Sequence, residues 1–136
     1  SEPRLLERDM SVTHPSCFVR SALYSTFGDF SIHYKFAMDY ELLLRLKVNG
    51  VQFVASETVF ANMEHAGISE ENWKDALAET HRARGELLAN SFYSGRMYYT
   101  FLLCKRTFRM FLEKKGAERA LAFYRSRLAL VKKHKT

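Results

Sequence analysis

The sequence predicts an α+β fold that is mostly helical, in which a short strand pair set among helices is followed by a C-terminal helical hairpin. Three observations lead there. "VQFVA" (residues 51–55) and "TVFANM" (58–63) alternate apolar and polar residues as half-buried strands do. The segments on either side carry apolar residues at helical spacing, three and four apart. Charge also divides unevenly: residues 1–91 hold 9 Lys and Arg against 13 Asp and Glu, residues 92–136 hold 12 against 2, and the whole is +6. The expected division is therefore 1–90 and 91–136.

The 136 residues are enough for one domain with a real core, and at 47% apolar and 14% aromatic the chain is not of the disordered class. Cys17 and Cys104 form no CxxC pair, which excludes a disulfide framework and a cysteine zinc site. The opening "SEPRLLERDMS" lacks the apolar core of a signal peptide. The apolar run "MYYTFLLC" stops at Lys105, too short to span a bilayer.

Along the chain, "VTHPSCFVR" reads as an extended piece interrupted at Pro15. Ser21 is placed to cap a short helix, "ALYSTF", which Gly28 ends. After the loop "DFSIHYK" a helix is expected from Ala37 to Asn49, stopped by Gly50. The strand pair follows, joined through Ser56 and Glu57. "EHAGISEEN" is a loop with Ser69 as N-cap of a helix over residues 70–89. Trp73 is most simply packing. In the last third, Met97, Phe101, Cys104, Phe108 and Phe111 are spaced 4, 3, 4, 3. Ala117, Leu121, Tyr124, Leu128 and Val131 repeat that spacing. Gly116 between them suits an antiparallel turn, so the two stripes are expected to bury one another.

The segment "KFAMDYELLLRL" carries the chemistry. On a helix, Asp39, Leu42, Leu43 and Leu46 share one face. Glu41 and Arg45 lie four apart on another, in the order that favours a surface pair, so Glu41 is expected in water. Asp39 has two readings. It is a first-turn acid favoured by the helix dipole, or a carboxylate at a cleft rim, fixed by leucines beneath it as a general base should be. Spacing alone favours the first.

Taken together, "THPSCFVRSALYSTFGDFSIHYKFAMDYELLLRLKVNGVQFV" and "ANMEHAGIS" resemble the second half of a bacterial family 2 glycosyltransferase of the GT-A fold, over residues 10–90. The shared order is a His near Phe-Val-Arg, a short helix with Leu-Tyr, Gly-x-Phe, an Asp-Tyr-acid-Leu run, a strand pair and an Ile-Ser turn. Two positions depart from it. Ser31 stands where the family usually has an acid, and Ala66-Gly67 stands for the usual Gly-Gly. The resemblance implies an acceptor-side portion of a GT-A α/β domain and an inverting transferase of cell-surface polysaccharide or glycan synthesis. Asp39 would be its catalytic base. His14 would lie at the cleft edge, against acceptor or phosphate, with a backbone-satisfied histidine as the alternative. His65, Gly67 and Ser69 would belong to the loop that closes over the donor. There His65 could reach the diphosphate or its metal, with a solvated loop histidine as the alternative. The expected ligands are a nucleotide-sugar donor and a glycan or lipid-linked acceptor.

The family's Asp-x-Asp motif, which holds Mg²⁺ or Mn²⁺ against the diphosphate, is not in this sequence, and neither is a strand–helix alternation ahead of residue 10. The expectation is a fragment that binds no metal by itself and is inactive alone. Its apolar face towards the other half invites self-association. The basic tail suits the anionic face of a membrane, so the expected location is cytoplasmic, peripheral to the inner membrane face. Nucleic-acid binding by the same charge ranks lower, because no recognised module is present. The competing function is a non-catalytic helical binding module working through the hairpin.

Overall fold

A computed structural model describes residues 5–8, 10, 12, 16–54, 71–89 and 91–115. The chain divides into two compact units, Ser1–Gly95 and Arg96–Thr136. The described part of the first holds α1 (Ser21–Phe27), α2 (Met38–Val48), α3 (Trp73–Leu87) and a 3-10 turn, Phe92–Ser94. The second holds α4 (Arg96–Lys114). The structure is thus mostly helical, with no strand among the described residues. Val51–Val54 form no ladder, and their expected partner, residues 58–63, lies outside the described residues.

The centre of the first unit is α2. Six of its 11 residues are buried, Tyr40, Glu41, Leu42, Leu43, Leu44 and Leu46, so it is enclosed on nearly every side rather than amphipathic. One face, Ala37, Tyr40 and Leu44, meets Tyr34 and Ala83 of α3 in a common cluster. Leu43 packs instead with Leu6 and Val12 from the N-terminal segment. Helix α2 ends where expected: Gly50 takes φ +78°, which glycine adopts without penalty.

The third side of α2 corrects the expectation for Glu41. It is 6% exposed, not in water. Arg45 grips it through Nε–H to Oε1 at 2.9 Å and Nη2–H to Oε2 at 3.1 Å. The same guanidinium donates to the carbonyl oxygens of Phe27, Gly28 and Asp29, the turn that follows α1. The spacing identified the pair correctly, but the turn folds over it and takes it out of solvent. Gly28 fits there for two reasons. Its φ is +88°, and a Cβ would stand 3.2 Å from Arg45 Nη1. Ser21 is also corrected: it is the first helical residue, Arg20 holds the cap position, and no side chain caps α1.

Helix α3 runs over Trp73–Leu87, and the expected start at residue 70 with Ser69 as its cap lies outside the described residues. It carries the largest fully buried side chain among the described residues. Arg84 is 0% exposed and donates through Nε to Tyr40 Oη and through Nη2 to the Arg8 carbonyl, each at 2.9 Å. Tyr40 Oη in turn donates to the Leu6 carbonyl at 2.7 Å. The N-terminal segment, α2 and α3 are joined at this point by one polar network.

In α4 the spacing gave the period but not the phase. Met97, Phe101, Phe108 and Phe111, expected to be covered, are 79%, 48%, 52% and 52% exposed, and Cys104 is exposed. The buried residues are Tyr98, Leu102 and Leu112, the neighbouring stripe. Both stripes have helical periodicity, so periodicity alone does not say which one is covered. The other arm of the expected hairpin, residues 117–131, lies outside the described residues.

Candidate functional site

Asp39 is the second residue of α2 and is half-buried. Its Oδ1 accepts the backbone N–H of Tyr40 at 2.8 Å. The loop that leads into the helix is held from elsewhere. Glu79, on α3, accepts three successive amides just ahead of the helix: Lys35 at 3.0 Å, Phe36 at 2.7 Å and Ala37 at 2.9 Å. Ala37, in the cap position itself, has no side chain that could accept. A carboxylate 42–44 residues away in sequence therefore holds the entry to the helix, while Asp39 itself takes a first-turn amide, that of Tyr40.

Burial works to raise the Glu79 pKa, but the three N–H donors and Arg82 outweigh it, and the carboxyl sits below its ordinary value of 4.5. Its stabilising effect is fully present above that value and is lost as pH falls through the lower folded value. Glu79→Gln keeps an acceptor oxygen and removes the charge. It should cost about 1–2 kcal/mol at pH 7. The difference from the unchanged protein should shrink at pH 3, as urea denaturation at the two pH values would show. An equal difference at both would mean that the charge is not what matters.

Two further contacts pin the same loop to α3. Tyr34 Oη donates to Glu86 Oε2 at 2.7 Å, and the Arg82 guanidinium lies 4.3 Å from the Tyr34 ring centre. Burial and then the Glu86 bond push the Tyr34 hydroxyl up to about 12. Glu79, Arg82 and Glu86 recur at three and four residues, so one face of α3 holds residues 33–37. The backbone leading into Asp39 is thereby fixed by α3.

Beside Asp39 lies a cavity of about 380 Å³. Cys17 and Val19 come from the segment before α1, Tyr24 from α1, Phe30 and Phe36 from the loop, and Met38, Leu42 and Leu43 from α2. Among the described residues that line it, Asp39 is the only charged one. Burial, and secondarily the Asp39 charge, pushes the Cys17 thiol pKa up. The thiol is therefore a neutral wall group rather than a ready nucleophile. Asp39, Leu42 and Leu43 do share a face, as the helical phase requires.

His14, His65, Gly67 and Ser69 lie outside the described residues, so Asp39 alone of the sequence-derived site residues is placed. Among the described residues no three His, Cys, Asp or Glu side chains come together to hold a metal ion, and no helix is long and apolar enough to cross a membrane. Sequence reasoning missed Glu79 and the aromatic wall. The only sequence signal for Glu79 was its spacing with Arg82 and Glu86, which reads equally well as a solvated face. Searches against protein-family profiles, curated proteins and solved structures find no match.

Proposed function

We propose that this chain supplies the acceptor side of an inverting glycosyltransferase, with Asp39 as general base. The observation that carries the proposal is the mounting of Asp39. It is a half-buried carboxylate in the first turn of a buried helix whose entry Glu79 holds, and it lines a cavity large enough for a small ligand. In the reaction, the Asp39 carboxylate accepts the acceptor hydroxyl proton as that oxygen bonds to the anomeric carbon. The bond from that carbon to the diphosphate oxygen breaks, and the nucleoside diphosphate leaves with its electron pair from the opposite face. Configuration inverts and no covalent intermediate forms, so one base is enough.

The donor, its nucleotide site and an Mg²⁺ or Mn²⁺ ion belong, in this reading, to an Asp-x-Asp half that this sequence does not contain. The described residues offer no three-ligand group for that ion, so no step here runs through it. His14 and the His65–Ser69 loop are assigned to the cleft on the resemblance alone. The test is whether the chain releases nucleoside diphosphate from a panel of nucleotide sugars with Mg²⁺ and simple acceptors. The expected result is none above background. Steady turnover by this chain would show that it holds a donor site of its own.

A second reading, a binding module at an anionic membrane, is favoured by α4. Its exposed Met97, Phe101, Phe108 and Phe111 stand among Arg106, Arg109, Lys114 and Lys115. Rings at headgroup level with cations worth about 1 kcal/mol each suit a cytoplasmic leaflet and a peripheral enzyme with a lipid-linked acceptor. Flotation with vesicles containing phosphatidylserine, but not with neutral vesicles, is expected. Phe101→Ser with Phe108→Ser should reduce it at least tenfold. Salt-sensitive RNA binding without lipid binding would favour the nucleic-acid alternative. Concentration-dependent mass in solution would instead point to self-association through an apolar face.

A further inference from the structure

We propose that the cavity beside Asp39 is a subsite for an alcohol whose reacting hydroxyl is carried on an apolar body, rather than for a polyhydroxylated sugar ring. The proposal rests on the reading of Asp39 as base and names the acceptor class for that site.

Matching of surfaces decides which alcohol the cavity takes. A sugar ring presents a hydroxyl on nearly every carbon, and each one buried without a partner costs free energy. The wall offers few partners. Among the described residues that line it, the side-chain polar groups apart from the Asp39 carboxylate are the Tyr24 hydroxyl and the Cys17 thiol, and a thiol is a weak donor and acceptor. The rest of the wall is aromatic or aliphatic. That surface is gained by an apolar body and wasted on a hydrated one. Phe30 and Met38 line the cavity and are 47% and 39% exposed, so the apolar surface continues out to solvent. A body larger than the cavity can follow it.

An organic cation is the other ligand that a carboxylate among aromatic rings could hold. The position of Asp39 argues against it. The carboxylate stands in the first turn of α2, where the positive end of the helix already offsets its charge. A neutral hydroxyl can donate to the carboxylate without adding charge.

The experiment uses three probes on this chain: 2-naphthol, 2-methoxynaphthalene, which lacks the donor, and methyl β-glucoside. Methyl resonances of Met38, Leu42 and Leu43 report occupancy. The expected result is saturable shifts with naphthol, binding at least tenfold tighter than the methyl ether, and no shifts with the glucoside. Asp39→Leu should remove the preference for the hydroxyl while naphthalene binding persists. Should that variant fail to fold, Phe30→Ser, at an exposed rim position, should weaken both naphthalenes about fivefold with the melting curve unchanged. Glucoside shifts at the same methyls, tighter binding of 2-naphthylmethylammonium than of naphthol, or no shifts with any probe in the folded chain would each overturn the proposal. The two layers separate cleanly. Loss of transfer on Asp39→Asn in a two-half enzyme, with no naphthol binding here, removes the acceptor assignment alone. Naphthol selectivity through Asp39, with transfer intact in that variant, removes the catalytic role and leaves the subsite.

Discussion

Asp39→Asn, made in an enzyme that also has its nucleotide-binding half, should lower the transfer rate roughly a thousandfold, within the range for loss of a general base. The change in stability should be small. Asn keeps an oxygen for the Tyr40 amide now bonded at 2.8 Å, and Glu79 keeps the three amides ahead of the helix. The loss should fall on kcat more than on KM, because the carboxylate matters most when the hydroxyl proton moves. Raising the pH should not rescue the variant below the range in which the acceptor hydroxyl ionises by itself. A variant retaining near-normal turnover would reduce Asp39 to a first-turn acid and end the catalytic reading. A fall in turnover matched by an equal fall in melting temperature would mean that the helix had been damaged, and Asp39→Glu would then separate the two effects.

Arg84→Met should destabilise the first unit by about 3–4 kcal/mol. The long apolar stem is roughly replaced, but the Arg8 carbonyl and the Tyr40 hydroxyl lose a charged donor in a site sealed from water. Arg84→Lys should recover little. An ammonium cannot place two donors in the fork that reaches Tyr40 and Arg8 together. Chemical denaturation gives the free energies directly. A loss below 1 kcal/mol for Met would show that the network is replaceable by packing, as some buried ionic groups are. A large loss for Met with full recovery by Lys would show that charge rather than geometry decides it.

Local chemistry made some of this architecture readable and left other parts hidden. The leucine run followed by Gly50 marked α2, expected over Ala37–Asn49 and found over Met38–Val48. Gly28 marked the end of α1, and the period of α4 was evident. In each case the signal lies in residues near one another in sequence. What was missed depends on residues that are not. The burial of Glu41 follows from a turn at residues 27–29 laid over its partner Arg45. The anchoring of residues 35–37 follows from Glu79, and the fate of Arg84 from the approach of residues 6–8. A strand at residues 51–54 needs a partner to give it a ladder, and alternation alone cannot supply one. Of the site, helical phase placed Asp39 with Leu42 and Leu43 correctly. The aromatic wall, gathered from residues 24, 30 and 36, was not visible, since each of those residues reads singly as ordinary core.

The bond between Glu79 and residues 35–37 also orders events in time. During synthesis the leucine helix emerges some 40 residues before the carboxylate that holds its entry. Until α3 arrives and docks, the amides of residues 35–37 have only water, and the loop that carries the chain into α2 is not fixed. The start of the helix is therefore finished late, by a long-range closure of the kind that slows folding. In the mature protein the same dependence makes the amides of residues 35–37 a gauge of docking. Their hydrogens should exchange at the rate at which α3 lifts away, together and not one by one.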